Sequence, residues 1–287
     1  MKTYVTHLLL FITSSLFAQN QLGFIFHPLP RNTNEMSTID SFNIKVFYAF
    51  NADTISNPNT YIDFQCLEIG EKFSKYYSYF IYNSDSLCTA WENKHPNART
   101  TPWGLGNRGK YPYYWSEYKY SEYFVDHSTK QITEYSRMPR YMNSYNSQAT
   151  EQIPMQQWTI HSDTISIIGY TCQKATCTFR GRNYVAWFAL ELTIDKGPWK
   201  FSGLPGLILK VYDDELQYRF ECVKINIYRK NMPLKRYNYN SYKTIRRNEL
   251  LEIQKAIHKN YYKMTGMKSR SEKPLPDLPE YMPLELF

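Results

Sequence analysis

The chain has 287 residues, with 34 Lys and Arg against 26 Asp and Glu, which gives a formal net charge of +8. The basic residues are scattered along the sequence, which argues against a nucleic-acid binder, because such proteins collect Lys and Arg on one face. Aromatic residues make up 17% of the chain, with 27 Tyr, 16 Phe and 6 Trp. Tyr and Trp favour strands, so the composition predicts a β-rich protein. The same rings also bind sugars and other amphipathic ligands, but strand propensity alone accounts for their number.

The first residues are typical of a secretory signal peptide. Lys2 is the positive start, Val5 to Phe17 is a short apolar stretch, and Ala18 is the small residue before cleavage. The stretch is too short to span a bilayer, which takes about 20 apolar residues. We expect a signal peptide over residues 1–18, one β-rich domain over 19–287, and location in the periplasm or at the outer membrane, with secretion to the medium as the less favoured outcome.

The first half of the mature chain contains several short runs that alternate or are rich in aromatic residues, which predicts strands. Residues 91–116 lack such a pattern and contain Pro, Gly, Asn and aromatic residues. A long loop of this composition is either functional or mobile. The predicted strands are Phe42 to Phe50, Tyr61 to Ile69, Lys75 to Tyr82, and two more within Ser121 to Tyr135.

The clearest β-structure follows Trp158. A strand is expected to continue past Gly169 with a bend or bulge, and the sequence Arg180-Gly181-Arg182-Asn183 predicts a tight turn. The strands of this region are Thr164 to Tyr170, Cys172 to Phe179, Asn183 to Leu190, Leu207 to Tyr212 and Leu216 to Tyr228.

One amphipathic helix is well marked over residues 248–265. Asn248 is expected to cap it and Gly266 to end it. Its apolar stripe indicates that one face packs on a sheet. The stripe consists of Leu250, Ile253, Ile257, Tyr261 and Met264. The Pro-rich tail from Lys273 is expected to be an extended segment.

A glycine- and proline-containing motif lies between the two predicted hairpins. In Leu204-Pro205-Gly206-Leu207, Pro favours the second position of a type II turn and Gly supplies the positive φ of the third. The interpretation is therefore structural, with Gly203, Pro205 and Gly206 as turn residues.

The segment Gly203 to Ile208 reads Gly-Leu-Pro-Gly-Leu-Ile, and it follows the blocks 169–175, 179–182 and 197–201 in order. With these blocks the chain resembles the GLPGLI family of exported Bacteroidota proteins, most strongly over residues 158–213. The resemblance implies export and a role at the cell envelope. It supplies no enzyme activity and no catalytic residues.

The five cysteines are an odd number, so at least one thiol stays unpaired within the chain. They are Cys66, Cys88, Cys172, Cys177 and Cys222. No His or Cys spacing indicates a metal site, and no cofactor fingerprint is present. The acidic turn Asp213-Asp214-Glu215 has calcium-type ligands, but a charged hairpin turn is the simpler explanation.

Four residues of the motif region have side chains that bind ligands in other proteins. Arg180 and Arg182 flank a turn and are candidates to clamp an anion, while Trp187 and Trp199 are candidates to line an apolar pocket. The alternative for both pairs is a purely structural role, because Trp often simply packs.

Together these observations predict a curved antiparallel sheet or half-open β-barrel, with the C-terminal helix against its concave or apolar face. The leading functional hypothesis is a non-enzymatic envelope protein that binds an amphipathic ligand (a lipid or a glycan) or an outer-membrane partner, with peripheral membrane contact. The alternatives are an envelope hydrolase with a dispersed catalytic site and an accessory subunit of an outer-membrane receptor.

Overall fold

The computed structural model describes residues 25–100, 102–269, 274–278 and 280–286. The expected signal peptide, residues 1–18, lies outside the described residues. Across the described ranges the chain forms one open sheet of twelve strands with three α-helices. None of these helices combines the length and apolar character that crossing a membrane takes. The expected fold class, mainly β with a helix near the C-terminus, is confirmed.

The strands are β1 (Ser37–Phe50), β2 (Asp63–Gly70), β3 (Phe73–Ser78), β4 (Ser121–Asp126), β5 (Gln131–Ser136), β6 (Ser147–Gln152), β7 (Thr159–Ile167), β8 (Tyr170–Phe179), β9 (Arg182–Ala189), β10 (Leu207–Asp213), β11 (Arg219–Arg236) and β12 (Lys243–Thr244). The helices are α1 (Tyr79–Lys94), α2 (Glu117–Tyr120) and α3 (Arg247–Thr265). In space the strand order is β12-β6-β5-β4-β3-β2-β1-β11-β10-β9-β8-β7. All neighbouring pairs are antiparallel except β12–β6. Two meanders, β2–β6 and β7–β11, therefore flank the central strand β1.

The second half of β1, from Val46 to Phe50, is buried on both faces of the sheet, and its side chains alternate between those faces. Val46, Tyr48 and Phe50 belong to the main core on one face. Phe47 and Ala49 point to the opposite face, where they join two smaller apolar clusters. A strand segment that is buried on both sides reads as a continuous apolar run.

The sheet curves until its two meanders face each other across the main core. The loop between β9 and β10 carries Lys200, whose Nζ lies 2.8 Å from Glu151 Oε1 on β6. These strands stand far apart in the sheet order, so only a strongly curved sheet brings them together. The two outermost strands, β12 and β7, do not pair with each other. The result agrees with the half-open arrangement expected from the sequence.

Helix α1 covers the outer face of β2 and β3, and sequence reasoning missed it. The predicted strand Lys75 to Tyr82 ends at Ser78, whose Oγ accepts a hydrogen bond from the Ile81 backbone N–H at 3.1 Å. Such a Ser at the N-cap starts a helix. The aromatic run therefore changes from strand to helix in its middle, and the irregular loop begins only at His95.

Helix α3 closes the concave face, as expected. Gln254 Nε2 donates to Glu134 Oε1 at 3.1 Å and to Ser136 Oγ at 3.3 Å, both on β5. The helix ends at Gly266, which has a φ of +66°. The predicted cap at Asn248 was wrong, because the helix begins one residue earlier and the N–H of the preceding Arg246 donates to the Glu249 carboxylate.

Two hairpins of the second meander have two-residue turns, one of which the sequence predicted. Ile167 pairs with Tyr170, so Ile168 and Gly169 form a two-residue turn, and the predicted bend within one strand was wrong. Both turn residues have positive φ, +44° and +89°, as the favoured two-residue hairpin requires. The turn predicted at Arg180 and Gly181 is confirmed, with φ of +50° and +84°.

The motif glycines serve two different purposes, and the predicted type II turn was wrong. Gly203, not Gly206, has positive φ (+84°). Gly206 is needed because a Cβ built there would lie 2.2 Å from the Ala189 carbonyl oxygen on the neighbouring strand. The chain passes so close to β9 that no side chain fits. Pro205 is exposed beside it and continues the bend.

We expect Gly206→Ala to lower the free energy of unfolding by about 1–3 kcal/mol, the usual cost of overpacking. Urea denaturation followed by circular dichroism measures this change. Gly203→Asn is the matched control, because its surroundings are open and Asn tolerates positive φ. An unchanged unfolding midpoint for Gly206→Ala would show that the close approach does not exist.

Candidate ligand-binding site

Arg182 is a structural residue, and both terminal nitrogens of its guanidinium group are bonded within the chain. Its Nη1 donates to Asp213 Oδ2 at 3.1 Å and to Gln217 Oε1 at 2.7 Å, and its Nη2 donates to the Pro283 carbonyl at 2.8 Å. Asp213, the first residue of the acidic turn, is fully buried. The geometry therefore does not support an anion clamp at Arg182, whose charge is paired with Asp213. It does not support a calcium site either, because Asp213 is already paired and the described residues contain no group of three or more possible metal ligands.

Arg180 holds the C-terminal segment in the same way. Its side chain forms ion pairs with Glu151 at 2.5 Å and Glu285 at 3.7 Å. Its backbone carbonyl accepts from the Leu286 N–H at 3.0 Å. The two arginines thus bind an acidic, extended piece of the chain itself and not an external anion.

The two tryptophans lie in the interior. Trp187 on β9 is 9% exposed and belongs to the main core. Trp199 packs its ring 5.8 Å from Phe179 and 5.4 Å from Phe201 between centroids. The void beside Trp199 has a volume of only about 30 Å3. The four residues predicted to bind ligand do not come together at a cavity.

A cavity with a volume of about 490 Å3 lies elsewhere. It opens where the segment before α2, the ends of β1 and β11, helix α3 and the C-terminal segment meet. The surface of its walls is mostly apolar, with six Tyr and Trp side chains and several polar groups between them. The lining residues are Asn51, Ile62, Tyr111, Tyr114, Trp115, Ser116, Glu117, Tyr118, Lys119, Gln217, Tyr218, His258, Glu280, Tyr281 and Met282.

Glu117 and His258 form the polar centre of this cavity. His258 Nε2 lies 3.3 Å from Glu117 Oε2, and both residues are buried. The imidazole is stacked on Tyr281, with ring centroids 4.3 Å apart and planes at 17°. Trp115 lies on it as well, at 5.2 Å between centroids. The rings on either side hold the His258 side chain in one orientation.

Two polar atoms of this pair have no hydrogen-bond partner among the described residues. They are Glu117 Oε1 and His258 Nδ1, and both are buried. A buried acceptor without a partner costs about 1–3 kcal/mol. Such atoms are rare in folded proteins and call for an explanation. The pair therefore has an unmet hydrogen-bonding capacity in the wall of the cavity.

Trp115 is held by hydrogen bonds to residues that precede and follow α2 in the sequence. Its backbone N–H donates to the Ile25 carbonyl at 2.9 Å, and its Nε1 donates to the Arg137 carbonyl at 2.7 Å. Glu117 follows two residues later as the first residue of α2. The aromatic wall and the carboxylate are therefore positioned by the same rigid stretch.

The cavity floor contains a buried amine. Lys119 Nζ donates to the carbonyls of Arg108 at 2.8 Å and Tyr111 at 3.1 Å, which shapes the loop above it. Burial lowers the pKa of Lys119 to about 8. Burial also raises the pKa of the neighbouring Asp63 to about 7. Burial thus disfavours both the charged ammonium form of Lys119 and the charged carboxylate form of Asp63.

The C-terminal segment completes the wall. The Tyr218 hydroxyl donates to the Met282 carbonyl, which sets Tyr281 beside His258. Burial raises the pKa of the tyrosines in the wall, so they remain hydrogen-bond donors at neutral pH. This holds for Tyr118, Tyr218 and Tyr281.

A cavity with aromatic walls and a few fixed polar groups suits a flat, hydroxylated ligand. Aromatic rings provide apolar contact, while the polar groups set the orientation. The site has no cluster of three or more metal-ligating side chains, and none occurs elsewhere in the described ranges. The carboxylate–imidazole pair can also accept or donate a proton at a bound molecule.

The sequence contained one usable signal for this site. The run Tyr111-Pro112-Tyr113-Tyr114-Trp115 lies in the long loop that was expected to be functional or mobile, and it supplies three lining residues. Glu117 went unnoticed, and His258 was regarded as isolated. The two are 141 positions apart in the sequence, so only the fold brings them together.

Comparison with known proteins gives one family match. Residues 111–248 match the family model described as "N-glycanase peptide, N-terminal domain". Among solved structures the chain is similar to PNGF-II in two crystal forms, P21 and C2, with 12% and 10% identity and TM-scores of 0.47 and 0.44. Each comparison covers 77% of this chain and 34% of that chain, so the chain spans about a third of the length of PNGF-II. No curated protein matches.

The buried carboxyl group beneath the cavity predicts a pH-dependent stability. The pKa of Asp63 is higher in the folded chain than in the unfolded one, so its contribution to the free energy of unfolding falls as pH rises from about 4 to about 7. We expect Asp63→Asn to gain stability relative to wild type over this range, on the order of 1–3 kcal/mol. Urea unfolding at several pH values measures it, with the exposed Asp53→Asn as control. A difference that stays constant with pH would contradict the burial of an uncharged Asp63.

Proposed function

We propose that this chain is a glycan-binding module and that the aromatic cavity holds a sugar unit of its ligand. The observation that carries the proposal is the Glu117–His258 pair, which lies in the wall of a cavity lined by six Tyr and Trp side chains. A sugar brings hydroxyl or acetamido groups that can hydrogen-bond with polar side chains of this wall, and the apolar face of a pyranose ring packs on aromatic side chains.

The family match supports this proposal. The matched residues, 111–248, include the aromatic segment before α2 and the end of β11 that line the cavity. The matching model carries the name of an N-glycanase N-terminal domain. We therefore propose that the ligands are glycans of the N-linked type, bound without being cleaved.

We expect Glu117→Gln and Tyr281→Ala each to lower the affinity for a glycan by about tenfold, equivalent to about 1.4 kcal/mol. The first change replaces an acceptor oxygen with a donor, and the second removes the ring stacked on His258. The probe is a high-mannose oligosaccharide released from an N-glycoprotein, and isothermal titration calorimetry measures its binding. Tyr145→Ala removes an exposed ring outside the cavity lining and is the matched control.

Equal affinities for wild type and both cavity variants would place the sugar outside this cavity. No heat of binding for a panel of neutral N-glycans would remove the glycan proposal.

The second candidate function is hydrolysis of a glycan, which the Glu117–His258 pair favours. Incubation of the protein with a glycopeptide tests it. Sugar that is released by the wild type and not by His258→Gln would support hydrolysis.

We further propose that the chain is an exported cell-envelope protein of the GLPGLI type, with a signal peptide removed after Ala18. The Gly-Leu-Pro-Gly-Leu-Ile segment and the order of the amino-terminal residues support this. An export location also gives a glycan-binding protein access to glycans outside the cell.

Expression in a Gram-negative host should give a periplasmic protein whose N-terminal residue is Gln19. Cell fractionation followed by mass spectrometry of the intact protein determines both points. Val5→Lys together with Leu9→Lys should retain the uncleaved chain in the cytoplasm. A full-length chain, uncleaved in every fraction, would refute the assignment of a signal peptide.

A further inference from the structure

A second aromatic surface, which we call the Arg140 platform, lies outside the cavity and consists of Trp103, Arg140 and Tyr141. Trp103 is 56% exposed and Tyr141 is 65% exposed. The Arg140 guanidinium carbon lies 4.3 Å from the centroid of the Trp103 ring and 5.2 Å from that of the Tyr141 ring. The cation and the two rings thus form one continuous, solvent-facing group.

Arg140 differs in its ion pairing from the two arginines of the motif region. No carboxylate of the described residues forms an ion pair with it, whereas Arg180 and Arg182 are both paired with acidic side chains. Its backbone is nevertheless held firmly on both sides. The N–H donates to the Phe26 carbonyl at 3.0 Å, and the carbonyl accepts from the Tyr261 hydroxyl at 3.2 Å. A fixed backbone therefore presents a cation that has no carboxylate partner in the described part of the chain.

Tyr141 is exposed in a conformation that costs free energy. Its φ is +70°, a region that residues with a Cβ rarely adopt and that costs about 1 kcal/mol or more. Its neighbours Met138 and Met142 are fully buried, so the turn is anchored by apolar side chains on either side. Burial of the ring does not offset the strain, because the ring is in solvent. Strain of this kind is concentrated at ligand-binding sites.

We propose that the Arg140 platform binds an acidic saccharide, separately from the cavity. A carboxylate or sulfate group of the sugar pairs with the Arg140 guanidinium, which forms two parallel hydrogen bonds with such groups. The apolar face of the pyranose ring rests on Trp103 or Tyr141. The chain's net charge of +8 attracts anionic glycans to the surface in general. The Arg140 platform adds one defined position at which such a glycan binds.

The platform is linked to the cavity through one residue. Phe26 accepts the hydrogen bond from Arg140 and forms a β-bridge with Tyr114, which lines the cavity.

This inference goes beyond the proposed function, because it concerns a different surface and a charged ligand. Its test does not depend on whether neutral glycans enter the cavity.

The probe is a chondroitin sulfate tetrasaccharide, titrated calorimetrically at physiological ionic strength, where long-range attraction is largely screened. We expect Arg140→Gln to lower its affinity by about tenfold. Trp103→Ala should have an effect in the same direction. Lys230→Gln removes one exposed positive charge elsewhere and is the matched control for charge alone. Melting curves from circular dichroism show that each variant is folded.

Equal losses in Arg140→Gln and Lys230→Gln would mean general electrostatic attraction and would overturn the proposal. Tyr281→Ala, which alters the cavity wall, should leave the affinity for the acidic probe unchanged. A loss in Tyr281→Ala without a loss in Trp103→Ala would place the acidic sugar in the cavity and would also overturn it. Wild-type protein that fails to bind the probe, while still binding the neutral oligosaccharide, would reject the platform alone.

Discussion

The curved sheet and its cavity depend on the buried ammonium group of Lys200. Its Nζ lies 2.8 Å from Glu151 Oε1 and also pairs with Glu285, whose other oxygen pairs with Arg247. Burial opposes the charge on Lys200, but the carboxylates of Glu285, Glu134 and Glu151 raise its pKa above the ordinary value. The same positive charges lower the pKa of the buried Glu285 carboxyl, against the effect of its burial. One ion cluster therefore joins β6, the β9–β10 loop, helix α3 and the C-terminal segment.

Buried ion pairs are a weak source of net stability, because removing two charges from water costs several kcal/mol per ion. In this chain the buried ion pairs fix how the connected segments are arranged. A charge at this depth tolerates only an arrangement in which every partner is present, so the two meanders and the tail meet in one way. Glu285 fixes the tail, and the tail sets Tyr281 against His258. The cavity thus takes its shape from charges that do not line it.

Local patterns explain which parts of the fold could be predicted. Helix α3 has a complete apolar stripe and a terminal glycine, and the turn at Arg180 has a glycine for positive φ, so both were identified. Helix α1 was missed, because its aromatic residues suit strands equally well and the Ser78 cap is a single residue. The Glu117–His258 pair is a long-range contact with no local pattern. Gly206 was recognised as necessary, but its reason lies in a neighbouring strand.

The polar centre of the cavity also distinguishes between the two amphipathic ligands expected from the sequence. An acyl chain would bring no hydrogen-bonding group to a cavity whose lining includes the polar side chains of Glu117 and His258. A sugar would bring hydroxyl groups for such side chains and an apolar face for the rings. Because the same aromatic walls serve either ligand, the polar side chains of the lining carry the comparison, and on this ground we propose a glycan over a lipid.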